Sequence, residues 1–407
     1  MDHKKTVLFE NFDAFRNARS GDRAYSPPLN DKPLRKNLDK FRGCLIGGAA
    51  GDALGYAVEF LSEPFLFQKF GPQGITEYAL KDGLARISDD TQMTLFTANG
   101  LLFGTTQGCM RGMMGTYPSY MATAYKEWYQ TQVSTYPADG KSHCSWLLNV
   151  PELYAQRAPG NTCMSAILEG CTGTPERPIN FSKGCGGVMR VAPIGLYFGE
   201  SPMAPLAVDM LGADAAALTH GHGMGYIPAS MLVHIIRLVS HSDEITLKET
   251  VLDARLAMEL LFSGEKRLPK FLRLIDTAVE LSERNVDDLT AIHALGPGWY
   301  GDEALAVAIY CALKYSHDFD KAIIAAVNHG GDSDSTGAIT GNILGAYLGL
   351  SGIPQKYLDH LELKEVIMEI AEDLYDDCQI SDYSSQQCPA EKRWYDKYVT
   401  ATYRTQT

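Results

Sequence analysis

Phe41-Arg42-Gly43-Cys44-Leu45-Ile46-Gly47-Gly48-Ala49-Ala50-Gly51-Asp52-Ala53-Leu54-Gly55 places glycine at 43, 47, 51 and 55, every fourth residue of a largely apolar run. In a helix that spacing leaves one stripe bare of side chains, and a bare stripe lets a second helix backbone approach closely. Gly341, Gly345 and Gly349 repeat the spacing near the other end of the chain. Such stripes are best known from membranes. Here Arg42, Asp52 and Glu59 accompany the first and the second segment is short, so neither reads as a membrane span. The expectation is two tightly packed central helices inside a soluble core, with no membrane partner.

Working outward, spacings of three and four predict helices over 91–103, 206–218, 229–239, 245–261, 270–282, 303–314 and 321–327. Convincing period-two strands are scarce. Long loops are expected near 62–88, 104–120, 130–162, 171–190 and 284–301, and loops of that length often carry function. Three regions follow: an arm over 1–38, a globular domain over 39–375, and a tail over 376–407 packed on or near it. The arm is charged, contains Pro27-Pro28 and Pro33, and holds one aromatic stretch around Leu8, Phe9, Phe12 and Phe15. It reads either as a flexible extension or as a segment that docks a partner through those aromatics. In the tail, Trp394, Tyr395 and Tyr398 suggest a last helix laid on the surface.

The composition is that of a globular protein, with 407 residues, 45% hydrophobic and 21% charged. A net charge of -13 argues against a nucleic-acid partner, since phosphate backbones want a basic face. Nine cysteines with no CxxC pair read as reduced thiols, and the N-terminus has no apolar core of signal-peptide length. A cytoplasmic protein is expected. No long coiled-coil pattern is present, so a monomer is expected too.

Two short segments carry chemistry. Ser88-Asp89-Asp90-Thr91 and Asp332-Ser333-Asp334-Ser335-Thr336 each join carboxylates to hydroxyls where a loop enters an apolar helix. Hard divalent cations want such oxygen ligands, so Ser88, Asp89, Asp90, Asp332, Asp334 and Ser335 together would suit two ions if the fold joins them. The competing reading is a pair of helix N-caps. One cap needs one such residue, and here there are three at each entry. Glu59 follows Asp52 by seven residues, so the two could share a helix face, and at the helix end Glu59 reads as a ligand or acid–base group, or else as having neither role. Asp52, among glycines, reads as structural, capping or pairing with a neighbouring loop.

Two further loops expose backbone N–H groups. Ser182-Lys183-Gly184-Cys185-Gly186-Gly187 suits an anion, and Gly160-Asn161-Thr162 enters an apolar helix with the same chemistry. Together they suggest a diphosphate. His220, in Thr219-His220-Gly221-His222, reads as a contact to a ligand ring or hydroxyl, or else as a buried structural histidine, rather than as a metal ligand. Trp299 and Tyr300 offer faces for a flat ligand, or else a surface aromatic corner.

The segments FRGCLIGGAAGDALGYAVEF, SDDTQM, SKGCGGVMRVAPIGL, LTHGH, GWYGDEALAVAIYCAL and HGGDSDSTGAITGNILGAYLG, in this order from about residue 41 to 355, resemble the ADP-ribosylglycohydrolases. The resemblance implies an all-α orthogonal helical bundle with long active-site loops. It implies a binuclear centre of two Mg2+ (Mn2+ being the alternative) at the base of a cleft. Ser88, Asp89, Asp90, Asp332, Asp334 and Ser335 would be the ligands, with Glu59 at the metal edge. Ser335 stands where many members have Thr, and Cys185 where some have Asn. The implied substrate is a protein carrying ADP-ribose, with arginine the usual linkage among bacterial members. Glu59, Asp89, Asp90 and Asp332 would be catalytic, and the loops, His220, Trp299 and Tyr300 would hold the ligand. Some members also block an ADP-ribosyltransferase toxin with an N-terminal extension, which gives the arm a second reading as an immunity element. A metal-dependent phosphatase is the competing enzyme class.

Overall fold

A computed structural model describes residues 34–137, 144–200, 203–384 and 388–404. Its described residues form sixteen α-helices and no sheet, as the all-α expectation has it.

Helix α1 (Leu38–Tyr56) begins at Asn37, whose side chain accepts from the Asp39 N–H, and is buried on almost every side. It runs antiparallel to α14 (Ser333–Leu348). A Cβ on Gly43 would lie 2.3 Å from the Gly345 carbonyl oxygen, one on Gly47 2.4 Å from that of Gly341, and one on Gly51 2.0 Å from that of Gly337. At the last step Gly55 meets the Ser333 carbonyl at 2.2 Å by the same measure. The bare stripe on α14 is therefore Gly337, Gly341 and Gly345. Gly349 leaves the helix as its C-cap at φ +77. Because the two helices are antiparallel, the close packing sets the start of α14, with Asp332 and Asp334, beside the end of α1 and Glu59.

Around this pair lie α2 (Glu63–Phe70), α3 (Asp89–Arg111), α4 (Tyr117–Val133), α5 (Asn161–Leu168), α6 (Ala192–Tyr197) and α7 (Pro205–Ala217). They are followed by α8 (Gly223–His241), α9 (Leu247–Leu261), α10 (Leu268–Ser282), α11 (Asp288–Leu295), α12 (Gly301–Lys314) and α13 (Phe319–Val327). Among the described residues α8 is the one helix long and apolar enough to cross a membrane by length and composition, and it is wholly buried within protein. That is the position of a core helix.

Several elements differ from the sequence expectation. The loops expected at 62–88 and 284–301 each contain a two-turn helix, α2 and α11, too short for periodicity to register. The loop expected at 104–120 shrinks because α3 continues to Arg111. It ends at Gly112 in the left-handed region at φ +62. Its last turns carry Thr106 and Gln107 buried, polar residues that hide the apolar pattern. Helix α15 (Lys364–Asp376) and most of α4 were not foreseen either.

The tail helix α16 (Pro389–Tyr398) packs on the domain with Trp394, Lys397 and Tyr398 buried beneath it, while Lys392 and Arg393 stay exposed. Lys397 Nζ lies 2.5 Å from Asp373 Oδ2 and 3.0 Å from Glu369 Oε1, and the Trp394 indole donates to Thr106 Oγ1 at 3.0 Å. Of the expected arm, residues 34–37 are tied to the domain through Arg35 N to His241 O (2.7 Å) and Lys36 Nζ to Tyr375 O (3.0 Å). The aromatic stretch from Leu8 to Phe15 lies outside the described residues, and with it the docking and immunity readings of the arm.

Candidate active site

The entry to α3 is held from beneath by Asp52, in the middle of α1. Its carboxylate accepts from Ser88 N (2.9 Å), from Thr91 N (3.1 Å) and from the Thr91 hydroxyl. That is the structural role expected of Asp52. Glu59 lies beyond the end of α1, so the two acids do not share a helix face as their spacing suggested. Ser88 caps α3 by accepting from Asp90 N at 3.2 Å. Asp89 is fixed on both sides: its N–H donates to the Arg157 carbonyl (2.9 Å) and its Oδ2 accepts from Gly160 N (3.2 Å).

The entry to α14 is pinned through Asp332 N to Pro297 O, 2.8 Å. The adjacent Gly331 passes so close that a Cβ there would sit 1.8 Å from the same carbonyl. Asp332 occupies the N-cap position yet makes no side-chain capping bond. Its carboxylate is not spent on the helix.

These segments converge. Ligand atoms of Glu59, Asp332 and Asp334 all lie within 4.8 Å of one another. Asp334 is in side-chain hydrogen-bonding contact with Ser88, Glu59 and Asp332, and Asp332 with Ser335. The Cys185 thiol donates to Asp332 Oδ2 at 2.7 Å, and Ser335 Oγ lies 3.5 Å from its sulfur. Ser333, between the two aspartates, turns away and donates to the His329 and Gly331 carbonyls instead.

The electrostatics show what this cluster suits. Burial, compounded by Asp334, Asp332 and Asp89, pushes Glu59 up to about 10. Burial first, then Asp334, drives Asp89, Asp90 and Asp332 well above the usual carboxylate range, and burial raises Asp334 itself. Glu59 Oε2 and Asp90 Oδ2 are buried without any hydrogen-bond partner. Carboxylates crowded this way are stable as anions only beside positive charge, and none of them pairs with a Lys, Arg or His among the described residues. An all-oxygen donor set with unpartnered lone pairs fits a hard divalent cation.

The two anion-loop candidates adjoin this cluster. Thr162 Oγ1, at the start of α5, lies 3.2 Å from Ser182 Oγ, and Gly160 supplies α5 with no side-chain cap. The 182–187 loop is bridged to the next loop by Cys185 N to Trp299 O (3.2 Å) and Gly301 N to Lys183 O (2.9 Å). Lys183 Nζ sits 3.4 Å above the Tyr300 ring, while Trp299 stays 41% exposed. A Cβ on Gly186 would meet Cys163 Sγ at 2.9 Å and His220 Cε1 at 3.0 Å, so the backbone there needs glycine to lie against the imidazole. His220 is buried, with Nδ1 2.8 Å from Thr219 Oγ1. His222 caps α8 and contacts Arg267, remote from any ligand role.

Sequence reasoning did not single out Glu362, which accepts from Arg86, Arg157 and Ile87 N and so steadies the approach to Ser88. Nothing in its local pattern marks it, because its partners come from 205 to 276 residues away. The Cys185–Asp332 contact was likewise missed.

The sequence profile of the ADP-ribosylglycohydrolase family matches residues 33–383. The chain is 29% identical to human ADP-ribosylhydrolase ARH3 over 221 residues, 48% of this chain and 58% of that protein, so the match spans little more than half of that relative. It is 26% identical to the ADP-ribosylarginine hydrolase Tri1 of Serratia proteamaculans (strain 568) over 371 residues, 88% of this chain and 86% of that one. A solved ADP-ribosylglycohydrolase-related protein complex superposes with a TM-score of 0.55 at 27% identity, covering 83% of this chain and 98% of that chain.

Proposed function

Because this chain belongs to the ADP-ribosylglycohydrolase family, we propose that it removes ADP-ribose from modified proteins by cleaving the N-glycosidic bond to arginine. The observation that carries the reading is the meeting of Glu59, Asp332 and Asp334, from opposite ends of the chain, within 4.8 Å and beside two anion-suited loops. The arginine linkage draws its support from the relative from Serratia proteamaculans, whose alignment extends over most of both chains.

Ser88, Asp89, Asp90, Asp332, Asp334 and Ser335 would hold a pair of hard divalent cations, Mg2+ or Mn2+. When bound, these ions supply positive charge that offsets the buried carboxylates and orients the vicinal hydroxyls of ribose. The chain's own residues do the rest. Asn161, Thr162, Lys183, Gly186 and Gly187 would receive the diphosphate through N–H groups, with the Thr162 and Ser182 hydroxyls beside them, while Gly160, Gly184 and Cys185 shape the loops through N–H groups already held by Asp89, Ser182 and Trp299. His220 meets the ribose side, and Trp299 and Tyr300 line the open end.

Glu59 has one carboxylate oxygen without a protein partner. We place it beside the anomeric carbon, where it takes a proton from the attacking water. The new carbon–oxygen bond forms as the bond to the guanidine nitrogen breaks. The bond breaks to leave a neutral guanidine, and the same proton then passes to it, so arginine departs as its guanidinium without any other donor. Nine free thiols among the described residues support a reducing, cytoplasmic setting.

The test is label release from proteins ADP-ribosylated on arginine or on serine, with and without EDTA. Release from arginine that EDTA abolishes and Asp332→Ala eliminates is the expected result. Release from serine alone would replace the linkage. Release of phosphate in place of ADP-ribose would overturn the reaction class.

A further inference from the structure

Arg190 is a fully buried cation that forms no ion pair among the described residues. Its guanidinium lies over the Tyr125 ring, 4.3 Å to the centroid. Nη2 donates to Ala215 O at 3.1 Å and to Thr219 Oγ1 at 2.7 Å, and Nη1 reaches Cys163 Sγ at 3.5 Å. A charge placed this deep needs a purpose, since burial without an ion partner is costly. The neighbour of Thr219 is His220, which forms one wall of the 184–187 loop.

Hydrogen counting decides how His220 is presented. A guanidinium only donates, so Thr219 Oγ1 accepts from Arg190 and keeps one hydrogen of its own. Three acceptors are in reach: His220 Nδ1 at 2.8 Å, the Ala216 carbonyl at 3.4 Å and the Cys163 sulfur. The carbonyl is too far for a normal O–H···O bond and sulfur is a weak acceptor, so the hydroxyl hydrogen goes to Nδ1. Nδ1 is then an acceptor, and the ring proton resides on Nε2. Nε2 makes no hydrogen bond among the described residues and faces the glycine loop, 3.4 Å from where a Gly184 Cβ would stand and 3.3 Å from a Gly186 Cβ.

We infer that Arg190 and Thr219 are positioning residues that lock His220 in the Nε2–H tautomer, so that it donates one hydrogen bond to an oxygen of ADP-ribose lying on the 184–187 loop. Burial first, and the Arg190 charge second, push the imidazole down to about 3, so it stays neutral and serves as a donor rather than as an acid. The inference rests on the glycohydrolase reading for the identity of its ligand, but not for the tautomer.

The experiment uses the full chain labelled with 15N-histidine, its imidazole nitrogens read by long-range proton–nitrogen correlation, together with calorimetric titration of ADP-ribose in magnesium buffer. The wild type is expected to show a protonated Nε2 and a bare Nδ1 at His220. Thr219→Val keeps the shape and removes the relay. It is expected to mix the tautomers and to weaken ADP-ribose binding about tenfold, the worth of one hydrogen bond, and Thr219→Ser is expected to restore both. A wild-type His220 carrying its proton on Nδ1 overturns the inference without any variant. So does Thr219→Val with unchanged tautomer and affinity. A wild type that shows the Nε2–H form yet binds no ADP-ribose sinks the glycohydrolase reading instead.

Discussion

Gly47 and Gly341 face each other with no side chain between their helices: a Cβ on Gly47 would stand 2.4 Å from the Gly341 carbonyl oxygen, and one on Gly341 1.9 Å from that of Gly47. Two steps along the same seam, Gly55 meets Ser333, between the two aspartates of the second acidic segment. The spacing of α1 and α14 is thus a property of the candidate active site as much as of the core. A wider seam would carry Asp332 and Asp334 away from Glu59.

Gly341→Ala should therefore act twice. Neither helix can yield without moving its own backbone, so overpacking should cost at least about 1–3 kcal/mol. Thermal unfolding should show it as a clear fall in Tm, accompanied by weakened Mg2+ affinity. Gly264→Ala, where an added Cβ meets nothing within 4 Å, is the control and should stay within about 0.5 kcal/mol of wild type. Equal melting of the two variants would refute the close seam.

Asp52→Ala should destabilise as a lost clamp. Its carboxylate serves Ser88 N, Thr91 N and the Thr91 hydroxyl, all deeply buried. Truncation leaves those donors without an acceptor, a loss of about 2 kcal/mol or more. Because α3 would then start loosely, Mg2+ affinity should fall with stability in denaturant and titration experiments. A variant as stable as wild type would mean another acceptor takes over.

What could be read in advance followed from local repetition. The four-residue glycine spacing told of a close helix pair, and the two hydroxyl-and-carboxylate helix entries told of a cluster of carboxylates. Both patterns are complete within about fifteen residues. The register of the pair was less legible: Gly349 fits the spacing, but its φ of +77 ends the helix, and Gly337 meets Gly51 instead. Short helices such as α2 and α11 span too few turns for a period to show. The burial of Lys397 was hidden because its partners, Asp373 and Glu369, lie on another helix. Long-range polar pairs have no one-dimensional signature.

Asp334 exerts its charge on Glu59, Asp89, Asp90 and Asp332 alike. Asp334→Asn should therefore show opposite signs in two buffers. In EDTA, removing one of several crowded charges relieves repulsion and should raise Tm above wild type. In excess Mg2+ or Mn2+ the wild type should gain about 2.7 kcal/mol at a hundredfold excess over its Kd, and the variant less. The crossing of the two stabilities, read by calorimetry, is the expected outcome. A variant less stable in both buffers would show that the carboxylate serves packing and not a cation.

Away from the site, His234 lies between Asp209 of α7 and Asp253 of α9, with Nδ1 to Oδ2 2.8 Å and Nε2 to Oδ2 2.9 Å. Burial by itself would lower its basicity. The Asp209 charge and the hydrogen bonds of both carboxylates outweigh that, against Arg237 nearby, and the imidazole is raised above its ordinary 6.5. A histidine raised in the folded state contributes stability that is fully present below the unfolded value and is lost as pH climbs through the folded one. Denaturant unfolding of wild type and His234→Gln should then differ most at about pH 6 and below, and draw closer as pH rises through the raised folded value. A gap that stays constant across that range would show that His234 is held neutral and contributes by shape alone. A gap that widens with pH would reverse the sign of the argument.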